Sequence, residues 1–180
     1  MEAVKETTDQ TQYLTFHLAG EEYAISILRV KEIIEYDTLT KVPKTPPSIR
    51  GVINLRGGVV PVVDLAVKFG MPESPVTKRT CIVIVEADLE GEKTVMGVVA
   101  DAVSEVMDLR PQDIETPPAF GTRAHVDYLD GLGKTGKKFV LILNIDRVLS
   151  AQELQVAEEL KASVPSEAEA SEKQEGNDKV

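Results

Sequence analysis

The feature that most constrains this chain is a pair of β-branched runs around a Gly-Gly dipeptide, in the segment Gly51–Leu65. A two-residue hairpin turn needs positive φ angles, and glycine takes them at little cost, so the segment predicts a β-hairpin with Gly57 and Gly58 as its turn. In that register Arg56 lies opposite Val59. Because side chains alternate along a strand, one face of the hairpin is expected to be apolar. Its members are Ile53, Leu55, Val60 and Val62.

The other face of this hairpin is only half apolar and carries the guanidinium of Arg56. Pro61 cannot donate a hydrogen bond to a neighbouring strand, which indicates that its strand lies at the edge of a sheet. Arginine beside an apolar rim is a common anchor of protein interfaces, although arginine next to a tight turn is often only solvated. From the residues alone, both interpretations of Arg56 stay open.

Ten short segments between Tyr13 and Asn144 have the pattern of strands, because they are rich in valine and isoleucine and are separated by Gly, Pro and Asp. The predicted strands are 13–18, 22–27, 31–36, 51–56, 59–63, 80–87, 94–100, 102–108, 126–131 and 138–144. Short strands joined by turns predict an all-β barrel or sandwich. The composition changes at Gly70–Pro75, which predicts a boundary between two lobes.

Helical signals are few. Asp64 is placed to cap a short helix that runs through Phe69, and Ser150 with Glu153 forms a capping box at the start of a C-terminal helix. Beyond Val164 the sequence is too polar to bury, and residues 151–180 hold eight acidic residues against three lysines. Such a composition predicts a solvated, disordered tail.

Charge and cysteine content exclude several classes of function. The net charge is −10 and no stripe of basic residues occurs, so nucleic acid is not expected as a partner. The one cysteine, Cys81, heads an apolar run and is expected to be a buried small hydrophobe in a reducing compartment. No signal peptide and no apolar run of membrane-spanning length is found, so no direct insertion into a membrane is expected.

The segment Gly131–Lys138 imitates a nucleotide-binding loop, since it matches G-x-G-x-x-G and nearly matches a P-loop. Both motifs require a following helix, whose N-terminus holds the phosphate. The residues Phe139–Leu143 predict a strand instead, so we interpret the segment as a hairpin turn. His17 and His125 have no neighbours at metal-ligand spacing, and no catalytic constellation is found. We therefore expect no enzyme activity, no catalytic residues, no cofactor and no metal site.

Motifs in several parts of the chain resemble the CheW-like domain, the family of the bacterial chemotaxis coupling proteins. The resemblance begins in Phe16–Ile27 and Val30–Ile34, and it is strongest in Asn54–Gly57 and Val60–Leu65. Later matches lie in Val98–Val106, Tyr128–Gly133 and Leu143–Asp146. Together they extend from about Tyr13 to about Leu160 and occur in the family's order.

The resemblance implies a fold of two SH3-like, five-stranded β-barrel lobes that share a hydrophobic core, with a short C-terminal helix. The expected domain spans residues 12–160, between a flexible segment at 1–11 and a disordered acidic tail at 161–180. The first lobe is expected at about 20–70 and the second at about 80–146. The N-terminal strand and the C-terminal helix are expected to pack across both lobes.

The resemblance also implies a function, that of a cytoplasmic, non-catalytic adaptor recruited to chemoreceptor arrays at the inner membrane. Its expected partners are the cytoplasmic hairpin tip of methyl-accepting chemoreceptors and the regulatory domain of the chemotaxis histidine kinase, with the isolated adaptor a monomer. The receptor-binding residues so implied are Val30, Glu32, Ile33, Arg56, Val98 and Val103. The kinase-binding residues so implied are Val42, Gly51, Asn54 and Gly57.

Two points stay open at the level of sequence. Val30 is equally well interpreted as a core residue, and strand alternation predicts that Val30 and Glu32 share a face that excludes Ile33. The alternative functions are an interaction module of another two-component pathway, a small-barrel nucleic-acid binder, and a nucleotide-binding enzyme that uses the Gly131–Lys138 loop.

Overall fold

The computed structural model describes residues 11–116 and 128–149, together with residues 153, 155, 156 and 159. The strands in this part of the chain are β1 (Thr11–Leu18), β2 (Glu21–Ser26), β3 (Val30–Glu35), β4 (Ile49–Leu55), β5 (Gly58–Val63), β6 (Cys81–Leu89), β7 (Glu92–Ala100), β8 (Ala102–Leu109), β9 (Ile114–Glu115), β10 (Leu129–Thr135) and β11 (Lys138–Leu143). The helices are α1 (Leu65–Lys68) and α2 (Ile145–Val148), and 3₁₀ turns occur at Ile27–Arg29 and Pro111–Asp113. The described residues 153, 155, 156 and 159 are also helical, where a C-terminal helix was expected.

The strands form two curled sheets. Sheet A has the order β8-β1-β2-β11-β10-β9, and sheet B has the order β3-β6-β7-β5-β4. Most neighbours are antiparallel, but β11 pairs with β2 and β5 pairs with β7 in parallel, over two residues each. The all-β, two-lobed fold expected from the sequence is therefore confirmed.

Three apolar clusters explain why so many strands lack polar residues. A large shared core lies between the sheets, and each curled sheet also encloses a small cluster of its own. On β6, Val83 and Val85 face the shared core, whereas Ile82 and Ile84 belong to the cluster inside sheet B. A strand that is buried on both faces needs a continuous apolar run, and the run Ile82–Val85 meets that need.

The grouping of strands differs from the one predicted at Gly70–Pro75. Sheet B consists of strands from residues 30–100, so β6 and β7 pair with strands that precede the break. Sheet A combines residues 11–26 with residues 102–143. Neither sheet matches the expected lobes at 20–70 and 80–146, because chain order does not determine which strands form hydrogen bonds to one another.

The hairpin of β4 and β5 has a different register from the predicted one. Leu55 pairs with Gly58, so the turn consists of Arg56 and Gly57, with φ angles of 51° and 87°. The prediction of Gly57-Gly58 was wrong by one position. The expected apolar face is nevertheless present, since Ile53 pairs with Val60 and Gly51 with Val62. Pro61 does not mark a sheet edge, because β5 lies between β4 and β7 and pairs with β7 from Val62 onward.

Two other local predictions are corrected. The strand expected at 126–131 is β10, and it extends through Thr135, so the turn before β11 is confined to Gly136 and Lys137. Cys81 is only half-buried. The short strand β9 and the helix α2 were not anticipated.

The helix cap predicted at Asp64 is confirmed. The Asp64 carboxylate accepts a hydrogen bond from the Val67 N–H at 3.3 Å and so caps α1. Near the C-terminus Glu153 is fully buried and forms an ion pair with Lys68 at 2.5 Å, while Val156 packs into the shared core. The predicted cap Ser150, the tail at 161–180, residues 1–10 and His125 lie outside the described residues.

Candidate functional site

Strand β3 is the element that organises the candidate sites, because it is an edge strand of sheet B and has both faces accessible. Its pairing with β6 shifts between Val30 and Glu32, where the ladder contains a bulge. Val30 and Ile33 pair with Val85 and Val83, so they lie on the face of the shared core. Glu32 pairs with Ile84 and therefore lies on the opposite face, which corrects the prediction that it shares a face with Val30.

An inter-sheet groove of about 390 Å³ lies on the Ile33 face of β3. The Ile33 side chain is 45% exposed there, and Val103 reaches the groove from β8. β8 is the edge strand of sheet A, so the groove joins the free edges of both sheets. The other lining residues are Ile34, Glu35, Lys78, Arg79, Thr80, Cys81 and Ala102.

The chemistry of the inter-sheet groove suits an apolar element with an acidic flank. Ile33 and Val103 supply apolar surface, and Lys78 and Arg79 place two positive charges at the rim. Cys81 lies in the same groove, and burial raises the pKa of its thiol above the usual value. The thiol is therefore held protonated and is a poor nucleophile at neutral pH.

A second concavity, the barrel hollow, lies on the Glu32 face and has a volume of about 350 Å³. Its apolar residues are Leu55, Val59, Val60, Pro61, Ile84 and Val95. Its polar residues are Lys31, Glu32, Arg56, Lys93 and Thr94, with Gly58 from the hairpin. The hollow thus opens the interior of sheet B to solvent beside the tip of the β4–β5 hairpin.

Arg56 and Glu32 form a bidentate ion pair at the rim of the barrel hollow. The Arg56 Nη1 lies 2.5 Å from Glu32 Oε2, and Nη2 lies 3.1 Å from Oε1. This hydrogen-bonded carboxylate raises the pKa of Arg56 further above its usual value. The two hydrogen bonds to Glu32 fix the direction of the guanidinium. Because the Arg56 side chain is 74% exposed, it is still available to a partner.

The four predicted kinase-binding residues lie on or beside β4. Asn54 and Gly57 build the hairpin tip, where the Gly57 N–H donates to Asn54 Oδ1 at 2.8 Å. Gly51 is buried, and a Cβ at that position would approach the Thr40 carbonyl oxygen to 2.6 Å. Val42 is partly buried against the shared core. Asn54 and Gly57 are therefore the exposed members of this set, and Gly51 is required by backbone packing.

The six predicted receptor-binding residues are not brought together. Ile33 and Val103 share the inter-sheet groove, whereas Glu32 and Arg56 share the barrel hollow. Val98 is 1% exposed in the shared core and cannot contact a partner, because it lies on the inner face of the central strand β7. Val30 also packs against that core, as its alternative interpretation predicted.

Sequence reasoning missed the basic pair Lys78-Arg79 and Cys81 as groove residues. A signal for the basic pair was available, since it lies two residues before the apolar run of β6. Their meeting with β8, some 20 positions later in the chain, depends on tertiary structure.

Within residues 11–116 and 128–149 and the four described residues beyond, no three His, Cys, Asp or Glu side chains form a group that could hold a metal ion. Over the same part of the chain, no helix has both the length and the hydrophobicity to span a membrane. Residues Gly131–Thr135 lie within β10, and β11 follows the turn, so the phosphate-binding helix that a P-loop requires does not follow this segment.

The chain is similar to proteins of one family in both sequence and structure. The sequence model of the CheW-like domain matches residues 12–153. The chemotaxis protein CheW of Klebsiella aerogenes is 37% identical over 158 residues, which cover 88% of this chain and 92% of that protein. CheW of Bacillus subtilis is 34% identical over 146 residues, covering 80% and 90% respectively. The crystal structure of the scaffolding protein TtCheW from Thermoanaerobacter tengcongensis superposes with a TM-score of 0.69 at 34% identity, covering 79% of this chain and 90% of that one.

Proposed function

The chain belongs to the CheW-like domain family, and from that premise we propose that it is a non-catalytic chemotaxis adaptor that holds chemoreceptor tips and the chemotaxis histidine kinase together. It acts in the cytoplasm, recruited to receptor arrays. The observation that carries the proposal is the pair of concavities on opposite faces of β3. A protein with two separate contact surfaces on one rigid strand is suited to holding two partners at a fixed distance.

The inter-sheet groove takes the helical tip of the receptor. An amphipathic helix buries its apolar side chains in such a groove, and Ile33 and Val103 supply the matching surface. Lys78 and Arg79 at the rim favour acidic residues that flank the helix. A contact of this size is expected to have a micromolar dissociation constant, a binding free energy of about −8 kcal/mol. In the array, many such contacts act together and keep the complex assembled.

The barrel hollow and the β4–β5 hairpin take the regulatory domain of the kinase. Arg56 lies in the same hairpin turn as Gly57, next to Asn54, and it is paired with Glu32 of β3 at the rim of the hollow. We therefore assign Arg56 and Glu32 to the kinase contact rather than to the receptor contact. A fixed, exposed arginine beside an apolar floor has the features of an interface anchor. A change in receptor conformation then shifts the position of the receptor relative to the kinase across β3. That shift biases a two-state equilibrium.

The test compares two apolar-to-acidic variants in titration calorimetry. Ile33→Asp places a charge in the groove, whereas Phe139→Asp changes a side chain of similar exposure, 50% against 45%, outside it. We expect Ile33→Asp to weaken binding of a purified chemoreceptor tip fragment at least tenfold and to leave binding of the kinase regulatory domain unchanged. Phe139→Asp should leave both affinities unchanged.

The result that contradicts the proposal is a folded wild-type protein that binds neither fragment. Equal losses in both variants would instead mean that the groove is not the receptor site. Loss of kinase binding in Ile33→Asp with receptor binding intact would exchange the two assignments.

A further inference from the structure

The two sheets are joined by the backbone at two described places, and a carboxylate reinforces each of them. Sheet A passes into sheet B through the 3₁₀ turn Ile27–Arg29, between β2 and β3. Sheet B returns to sheet A at Asp101, between β7 and β8. There the Asp101 N–H donates to the His17 carbonyl at 2.9 Å, and Asp101 Oδ2 accepts from the Ala19 N–H at 2.9 Å.

At the first connection, Asp146 makes contacts to both sides. Its Oδ2 accepts from Arg29 Nη2 at 2.7 Å, and its Oδ1 accepts from the Asp88 N–H on β6, also at 2.7 Å. Asp146 itself lies in α2, directly after β11 of sheet A. Both oxygens of one carboxylate thus tie sheet A to the start of β3 and to β6 of sheet B.

α2 is itself held firmly to sheet A, which makes Asp146 a fixed point. Asn144 caps the helix by accepting from the Arg147 N–H at 3.2 Å, and its Nδ2 donates to Asp130 on β10 at 2.9 Å. The neighbours Ile145 and Val148 are buried in the shared core. A displacement of β6 or of the 3₁₀ turn relative to sheet A must therefore stretch the contacts of Asp146.

The inter-sheet groove lies at the other connection. Ala102 and Val103 of β8 line it, and Cys81, which lines it from β6, pairs with Ala100 at the end of β7. Along β3 the groove residue Ile33 is four positions from Arg29, about 13 Å in an extended strand. Rotation of the sheets about the β7–β8 connection would change the width of the groove, and the Asp146 contacts resist that rotation from the far end.

We propose that Asp146, with Arg29 and the Asp88 N–H, is a positioning clasp that sets the width of the inter-sheet groove without touching its occupant. The role in receptor binding rests on the proposed function, whereas the control of groove geometry does not. Cys81 provides a direct probe of that geometry, because it is the one cysteine of the chain and lines the groove.

The experiment measures the rate at which Ellman's reagent modifies Cys81 in the full chain. We expect Asp146→Ala and Arg29→Ala each to raise the rate about fivefold through local opening. The double variant should be no faster than Asp146→Ala, because the contact that Arg29→Ala removes is already lost in Asp146→Ala. Asp146→Glu should restore a slower rate. Asp113→Ala is the matched control, since its ion pair with Arg110 lies within one segment, and it should leave the rate unchanged.

Urea unfolding separates local from global opening. A rate increase that equals the increase calculated from the measured loss of global stability would overturn the clasp, as would an unchanged rate in Asp146→Ala. Binding of the receptor tip fragment should weaken three- to tenfold in Asp146→Ala, because a less ordered groove must be organised on binding.

The two proposals can fail separately. If the wild type binds no receptor fragment and Asp146→Ala still exposes Cys81 locally, the clasp stands and the proposed function fails. If the wild type binds and Asp146→Ala changes neither the rate nor the affinity, the function stands and the clasp is overturned.

Discussion

At the scale of single residues, the most consequential interaction is the ion pair of Arg50 with Asp64. Their side chains are 5% and 1% exposed, and Arg50 Nε lies 3.0 Å from Asp64 Oδ2. The guanidinium also donates to the Tyr36 hydroxyl at 3.0 Å and to the Ser74 carbonyl at 2.7 Å. Arg50 therefore fastens the segment after α1 to sheet B, and Asp64 both neutralises it and caps α1.

Asp64→Ala is expected to lower the free energy of unfolding by about 3–5 kcal/mol, because it removes the buried counter-charge of Arg50 and a helix cap. Glu73→Ala is the control. Glu73 is the other carboxylate near Arg50, but it is 69% exposed, so its loss should cost less than about 1 kcal/mol. Urea unfolding measures the stability of both variants. Equal losses of stability would show that burial of the carboxylate does not determine how much its ion pair with Arg50 contributes.

At the scale of elements, the β4–β5 hairpin shows what the sequence could and could not predict. Its strands and apolar face follow from alternation, because moving the turn by one position shifts the pairing by two residues and so leaves Ile53 and Val60 on the same face. The turn itself was misassigned because Gly57-Gly58 has the better intrinsic preference. The fold instead places Arg56 at φ 51°, and the Asn54 side chain helps to hold the turn by accepting from the Gly57 N–H.

Strand β3 shows the same limit for a binding face. Alternation assigns Val30 and Glu32 to one face, but a single bulge reverses the assignment of every residue after it. No local signal in Val30–Glu35 marks the bulge, because it arises from pairing with β6. The residues of the candidate sites were therefore identified in part, while their division into two surfaces required the structure.

Arg56→Asn tests whether the hairpin arginine serves binding or folding. Asparagine tolerates positive φ better than arginine does, so the unfolding free energy should stay the same or rise by up to about 1 kcal/mol. The lost ion pair with Glu32 costs little because Arg56 is exposed. Affinity for the kinase regulatory domain should nevertheless fall about tenfold.

Arg110→Asn, an exposed arginine on another segment, is the control and should leave that affinity unchanged. A fall in the unfolding temperature of Arg56→Asn with full affinity would assign Arg56 a structural role.

At the scale of the whole molecule, packing against the apolar clusters partly shields two tyrosine hydroxyls and the Cys81 thiol from water. Burial raises the pKa of Tyr23 and Tyr13 above 10.0, with nearby Glu21 and Asp130 adding to the effect, and it raises the pKa of Cys81 above 9.0. In each case the folded protein holds the proton more tightly than the unfolded chain does.

Stability should therefore fall as the pH rises above about 9. In that range the unfolded chain has already lost protons that the folded protein retains, so deprotonation favours unfolding. The urea midpoint should be lower at about pH 10 than at about pH 7.5. Tyr23→Phe removes one of these groups and should reduce the difference. Equal midpoints at both pH values in the wild type would contradict the prediction.

The nesting of the sheets has a consequence for synthesis of the chain. Every described strand of sheet B lies within residues 30–100, whereas sheet A combines strands that precede this span with strands that follow it. As the chain leaves the ribosome, the strands of sheet B are complete first. In sheet A, β1 must wait for β8, and β2 must wait for β11, more than a hundred residues later. We therefore expect folding to proceed from the middle of the chain outward. Until β11 has been synthesised, β2 keeps an unpaired edge, the kind of surface that chaperones recognise.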